Sequence, residues 1–477
     1  MNKALLTDFY ELTMMQGYFY HDHNPMVVYD MFFRTPPFNS GFTVFAGLED
    51  ILRSLEDLAF DGEDIAYLES EGTFKKEFLE YLKTFRFSGN IYSVPEGTVV
   101  FPNEPIVKVH APLIEAQLVE SLLLNIINFQ TLIATKTARI FLAANKGKLL
   151  EFGLRRAQGI DGAISASRAA YIGGAGSTSN TMAGKMFGIP VSGTMAHSWV
   201  MSYDSEKESF LKYAELYPDS SIFLIDTYDS LGCGIENAIA AGKYLQSRGK
   251  SFGIRLDSGD LQYLSEKCRQ RLDDAGFPDA KIAVSNELNE EIIHQLVTSG
   301  APIDLWGVGT HMVTGGSQSS LTGVYKLAAR ERNNTMHPVI KVSNHPEKTT
   351  NPADKRLIRF HDSAGCPLAD LMCLYDEVLP EQNEPVMIYH PMYEQSKYLM
   401  KEYDYFEDIL NIVMKDGKIT ADLPSLPDIR KRTIENLSLL DSTYTRLINP
   451  HLYKVSISGK LRNLKNDMIN HYTINTH

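Results

Sequence analysis

The sequence predicts an α/β protein: an irregular parallel βα barrel with a second, smaller α+β domain formed largely by the N-terminal region. Three observations carry this. From Leu149 onward, short apolar runs end in Gly or polar residues: LLEFG at 149–153, PVSGTMAH at 190–197, IFLIDTY at 222–228, FGIRLDSG at 252–259, KIAVSN at 281–286 and DLWGVGT at 304–310. Their starts lie about 20–40 residues apart with helix-like segments in most gaps, and such alternation implies parallel strands. Six units in one region favour a closed barrel, with an open doubly wound sheet as the alternative because spacing does not give strand order.

Taken in order, Asp8 and Glu11 read as a helix N-cap with its N3 partner, and Phe9, Leu12, Met15 and Phe19 follow at helical spacing. Val27, Tyr29, Met31 and Phe33 alternate as in a half-buried strand, which Pro36-Pro37 ends. Helical patterns such as Phe74, Phe78, Leu82 and Phe85 come next, then a Pro-punctuated antiparallel β module from Gly89 to Pro112. Beyond Ala329 the text turns polar, with strand candidates near 338–342 and 356–360 and a tail from Asn383 expected to add helices. The expected domains are 1–120 (joined by parts of 335–400), 121–334 as the barrel, and 335–477 packing on both.

Composition narrows the function. The chain has 477 residues, and 46 Lys+Arg against 59 Asp+Glu give a formal charge of −13. Without a basic block, a nucleic-acid or anionic-membrane partner is not expected. Local cations can still hold a small anion. Cys233, Cys268, Cys366 and Cys373 match neither zinc spacing nor a disulfide framework. Asp8 and Glu11 interrupt any signal-like apolar stretch, and no run approaches the ~20 apolar residues of a membrane span. The expectation is a reduced, soluble, cytoplasmic enzyme.

In a parallel βα barrel the site forms beyond the carboxyl ends of the strands. There the sequence places Glu151, Phe152 and Arg155; Thr194 and His197; Asp226, Tyr228 and Asp229; Arg255, Asp257, Ser258 and Asp260; Ser285 and Asn286; and Gly307, Gly309, Thr310 and His311. Arg155 and Arg255 can fork onto carboxylate or phosphate oxygens. The turns GVGT and DSGD offer backbone N–H groups to an anion. Asp226, Asp229 and Asp257 could hold Mg²⁺ directly or through water. The theme is an anionic, phosphorylated, Mg²⁺-bound substrate. Singly, each feature has a bland reading: a Gly turn, an Arg255–Asp257 structural ion pair, a hydrogen-bonded His197. Complete P-loop, GxGxxG, HExxH and GxSxG motifs are absent, which removes P-loop kinases, nicotinamide-dependent oxidoreductases, zinc hydrolases and α/β-hydrolases.

LLTDFYELTM, EFGLRRAQG, STSNTMAGKMFGIPVSGTMAHSW, IDTYDSLGCG, GIRLDSGDL and LWGVGTHMVTG closely resemble the nicotinate phosphoribosyltransferase family. The resemblance runs from residue 5 to beyond 326 and weakens in the C-terminal third. It implies conversion of nicotinate and 5-phosphoribosyl 1-diphosphate to nicotinate mononucleotide and diphosphate, driven by ATP with Mg²⁺, in a homodimer with shared active sites. It further implies His197 as the residue phosphorylated from ATP, and Asp226 as the acid that orients it. Tyr10, lent by the partner subunit, and Phe152 stack on the pyridine; Arg255, Thr194 and Arg155 hold nicotinate; and Thr310 with its glycines cradles the ribose phosphate. Nicotinamide-using relatives carry an Asp where Asn180 stands, and Asn180 favours the acid over the amide. The alternatives are a nicotinamide or quinolinate transferase, or a non-catalytic sensor of phosphorylated ligands.

Overall fold

The computed structural model describes residues 3–145, 147–393 and 395–474. The chain divides into two compact units, Ile133–Ser319 and Met1–Leu132 with Ser320–His477.

The unit of residues 133–319 is built on six parallel strands. In spatial order they are Ser177–Thr178, Lys148–Glu151, Leu305–Val308, Lys281–Ser285, Gly253–Leu256 and Ile222–Leu224. The first strand in sequence therefore pairs with the last, and otherwise sequence neighbours pair. One further parallel bridge joins Thr178 to Val191. Among the described residues no ladder links Val191 to Ile222–Leu224, so the pairing leaves a seam between them. The expected strand at 190–197 shrinks to that bridge, because Pro190 lacks a donor and Ser192-Gly193 follows it. Ile254, Leu256, Ile282, Val284, Trp306 and Val308 are buried on one face and Ala283 and Ser285 on the other, as fits strands covered on both faces.

Helices leave the carboxyl ends of the strands, and sequence fixes where they start. Asn180, Asp260 and Asn289 cap Thr181–Phe187, Leu261–Asp274 and Glu290–Thr298 with their side chains. Glu290 also takes Lys136 at 2.6 Å and Arg139 at 3.0 Å, all three nearly inaccessible. Burial pushes the Glu290 carboxyl up, but the two cations outweigh it and hold it below its ordinary value.

The other unit is mainly antiparallel. Its seven-stranded sheet runs Thr335–Pro338, Gly323–Arg332, Met26–Phe33, Val107–Pro112, Asn90–Ser93, Asn411–Lys415 and Lys418–Ile419. Met26–Phe33 has neighbours on both sides and is buried on both faces, not half-buried as its alternation suggests. Its Asp30 survives there through Lys355 at 2.7 Å. A second, six-stranded sheet holds Lys397–Met400, Val386–Tyr389, Val455–Ile457, Pro367–Leu374, Lys355–His361 and Tyr405–Asp408. The tail from Asn383 thus continues as strands first, with helices following at Leu426–Leu439, Ser442–Thr445 and Gly459–Ile474.

The helix Phe9–Tyr20 forms with Asp8 as N-cap residue, but the capping box does not. The Asp8 carboxylate accepts from Ser121 at 2.7 Å instead, and buried Glu11 accepts from Gln117. Among the described residues one helix, Leu113–Ala143, is long and apolar enough by composition to cross a membrane, contrary to the sequence expectation, and 61% of its apolar window is buried inside the chain as in a core helix.

Candidate active site

Of the side chains expected at the strand ends, Thr194, His197, Asp226, Arg255 and Asp257 come together beside the seam of the parallel sheet. His197 opens the short helix His197–Met201 after the Val191 bridge, and Asp226 and Thr227 follow Ile222–Leu224. His197 is thus held across the seam by side chains. Its Nδ1 lies 3.2 Å from Thr227 Oγ1, and its Nε2 lies 4.0 Å from Asp226 Oδ1 and 3.8 Å from Asp257 Oδ2. The imidazole is 41% exposed, whereas the Asp226 side chain is 2% exposed. Asp226 Oδ2 accepts from the Asp257 amide at 2.9 Å and the Ser258 hydroxyl at 2.6 Å. Its Oδ1 is buried without a hydrogen-bond partner, aimed at the histidine. An orphaned buried acceptor is costly and marks a place where a donor or cation is wanted.

Arg255 is the hub of the next layer. Nε donates to Ser285 at 2.8 Å, Nη1 to Thr194 at 2.9 Å and to the Met195 carbonyl at 3.3 Å, and Nη2 to Asp257 at 2.7 Å. Four of its five N–H groups are committed, so the open bidentate fork read from the sequence is reduced to one free Nη2–H. Its guanidinium carbon sits 5.8 Å from the centroid of the Phe152 ring. Burial pushes the Asp257 carboxyl up, but Ser285, Arg255 and His197 outweigh it and hold it below the usual range, so it stays ionised at neutral pH.

Phe152 follows the strand Lys148–Glu151. A Cβ on Gly307 would meet its ring at 2.8 Å, and one on Gly309 would meet its carbonyl oxygen at 3.1 Å. Glycine at 307 thus leaves the ring its place over the sheet end. Gly309 precedes the helix Thr310–Thr314, which brings Thr310 to the same end. Buried Glu151 fixes the turn beneath Phe152 by accepting from the Gly153 amide, Ser167 and Thr178. Ser167 and Thr178 were not legible as site residues, since neither stands in an unusual pattern.

The remaining sequence candidates are placed as follows. Asn180 is 2% exposed, accepts from the Ala183 amide, and donates to the Ala163 carbonyl and Ser167, so its amide is engaged within the fold. Arg155 is exposed on the turn Leu154–Arg156, with no ion pair or side-chain hydrogen bond among the described residues. Asp229 Oδ1 accepts from the Gly232 amide, which ties it to its own turn. Among the described residues no group of three or more His, Cys, Asp or Glu is set to hold a metal ion, so Asp226, Asp229 and Asp257 do not form a chelate. Tyr10 lies in the other unit and is 49% exposed. Partial burial and then the carboxylates of Glu11, Glu120 and Asp8 raise its hydroxyl pKa, so it stays neutral.

A parallel α/β sheet whose strand ends gather a histidine, two aspartates, a clamped arginine and a glycine-rich turn defines an enzyme of anionic small molecules. The chain belongs to the nicotinate phosphoribosyltransferase family. Models described as the nicotinate phosphoribosyltransferase N-terminal domain, family and C-terminal domain match residues 5–128, 148–370 and 354–465. The last of these extends the likeness into the region where the motifs alone show little. The nicotinate phosphoribosyltransferase of Bacillus subtilis is 44% identical over 95% of this chain and 93% of its own length. That of Caenorhabditis elegans is 38% identical over 96% and 92%. The crystal structure of human nicotinic acid phosphoribosyltransferase superposes with a TM-score of 0.85 at 29% identity, covering 97% of this chain and 99% of that one.

Proposed function

We propose that this protein joins nicotinate to 5-phosphoribosyl 1-diphosphate in NAD biosynthesis, with ATP hydrolysis coupled through a phosphohistidine at His197. The observation that carries the reading is His197 held between Thr227 and two aspartates, beside the Arg255–Thr194 clamp. In the first step a ring nitrogen of His197 attacks the γ-phosphorus of ATP; the N–P bond forms as the β–γ P–O bond breaks, and ADP leaves. In the transfer step the pyridine nitrogen attacks C1 of the phosphoribosyl group and diphosphate leaves with the electron pair. Water then takes the phosphoryl group from His197, releasing phosphate.

Phe152 covers one face of the pyridine, and Tyr10 of a second copy covers the other in a homodimer. Arg155, whose guanidinium is open, and the free Nη2–H of Arg255 meet the carboxylate. The GVGT turn and Thr310 receive the ribose phosphate. Mg²⁺ takes most of its ligands from phosphate and water, as is usual for this ion. Asp226 Oδ1 is the protein oxygen best placed to meet it. Bound there, the ion would neutralise diphosphate charge. An acidic chain with four free cysteines suits a cytoplasmic setting.

The test is phosphate release from ATP and nicotinate mononucleotide formation, measured together in wild type and His197→Ala. The variant should lose the ATP stimulation and keep a slow ATP-independent transfer, since both substrates are still brought together. Full coupling in His197→Ala would remove the phosphohistidine. No product from nicotinate, but product from nicotinamide or quinolinate, would remove the substrate assignment.

A further inference from the structure

Ser285 ends the strand Lys281–Ser285 and is 3% exposed. Its hydroxyl accepts the Nε–H of Arg255 and donates to Asp257 Oδ1. Arg255 can only donate, so the single Ser285 proton is committed to the carboxylate. Asp257 Oδ1 also takes Arg255 Nη2 at 2.7 Å, and the three side chains close a ring. Arg255 and Asp257 stand two residues apart at the end of the neighbouring strand, on the same face. The third point of the ring comes from a different strand, so it fixes the rotation of both. The other Asp257 oxygen lies 3.8 Å from His197 Nε2, and the other arm of Arg255 ends on Thr194. The ring therefore joins the histidine side of the site to the clamp side.

We propose that Ser285 is a positioning residue for the transferase, acting through Arg255 and Asp257 to set the nicotinate clamp against His197. Ser285 is no nucleophile, since its proton and an accepting lone pair are both in use. The inference rests on the function proposed above.

Two measurements test it. In Ser285→Ala the kcat/KM for nicotinate should fall about tenfold, mostly through KM, with the KM for 5-phosphoribosyl 1-diphosphate changed under about twofold. Ser285→Thr keeps the hydroxyl and should recover most of the loss. In an Arg255→Lys background, which lacks the Nε–H that Ser285 accepts and leaves only the Ser285–Asp257 bond to lose, adding Ser285→Ala should cost under about threefold more. A full tenfold loss in both backgrounds, or unchanged kinetics with only a lower melting midpoint, overturns the proposal. The second measurement needs no activity: the Arg255 Nε–H resonance in the full-length protein, protected in wild type and Ser285→Thr and exchanging fast in Ser285→Ala. An unaltered signal in Ser285→Ala overturns the link to Arg255 whatever the substrate proves to be. Lost protection in a protein that makes no nicotinate mononucleotide would keep the link and reject the reaction.

Discussion

Replacing Arg255 with lysine keeps the charge and removes the fan of donors. The guanidinium reaches Ser285 Oγ, Thr194 Oγ1, the Met195 carbonyl and Asp257 Oδ1 at 2.8, 2.9, 3.3 and 2.7 Å. An ammonium donates from one point, so it can keep Asp257 and one neighbour while two acceptors lose their partner. Each hydrogen bond involving a charged group is worth about 1.5–3 kcal/mol. The side chain is 13% exposed, so water reaches the vacated acceptors only in part. A loss of about 2–4 kcal/mol follows, or about 30- to 1000-fold in kcat/KM for nicotinate. The assay is the steady-state rate of nicotinate mononucleotide formation at saturating 5-phosphoribosyl 1-diphosphate, run beside a thermal melt. A change below about threefold would refute the reasoning. A large fall in melting midpoint with intact kcat/KM would reduce Arg255 to a structural ion-pair residue.

Tyr10→Ala and His197→Ala proteins, each lacking ATP-coupled activity, should regain it when their subunits exchange, because one site of each mixed dimer then carries neither defect; no recovery after verified exchange places Tyr10 in its own subunit's site. Gly307→Ala puts a methyl 2.8 Å from the Phe152 ring and should raise the nicotinate KM about tenfold at nearly constant melting midpoint. An unchanged KM would mean that the ring does not cover the pyridine. Burial pushes the Glu120 carboxyl up to about 7, against Lys326 and with help from Glu11 and Asp8. Its folded value lies above the ordinary one, so the stability it supplies is present at acid pH and is lost as pH rises through about 7. Glu120→Gln should therefore raise the melting midpoint near pH 8, with the gain shrinking toward about pH 4, and an equal gain at both ends rejects the shift.

The parallel strands were legible because runs such as KIAVSN and LWGVGT are apolar, short and closed by polar residues, as strands covered on both faces must be. Ser177–Thr178 was not, because two polar residues carry no hydrophobic period. Asp30 and Lys355 obscured how deeply their strands lie, since a buried ion pair looks like two surface residues in one dimension. The strands after Asn383 escaped for a similar reason: Lys397–Met400 and Tyr405–Asp408 have mostly exposed or half-buried side chains. In the site, His197, Asp226, Arg255 and Asp257 were found by residue type and position at strand ends. The Arg255–Asp257 ion pair was legible as well, but most of the other partnerships were not. That Arg255 spends its donors on Ser285, Thr194 and Met195 depends on which segments lie side by side, and spacing along the chain is silent on that.

The unpaired stretch between Val191 and Ile222–Leu224 has a mechanical consequence. Everywhere else in the parallel sheet, separating two neighbours breaks a row of backbone hydrogen bonds. At the seam it stretches side-chain contacts instead, those of His197 with Thr227, Asp226 and Asp257 and those of Arg255 with Thr194 and the Met195 carbonyl. A phosphoryl group on the imidazole would press negative charge against two aspartates at the compliant point of the sheet. Under the proposed phosphohistidine step, that repulsion would fall on side-chain contacts rather than on a row of backbone hydrogen bonds.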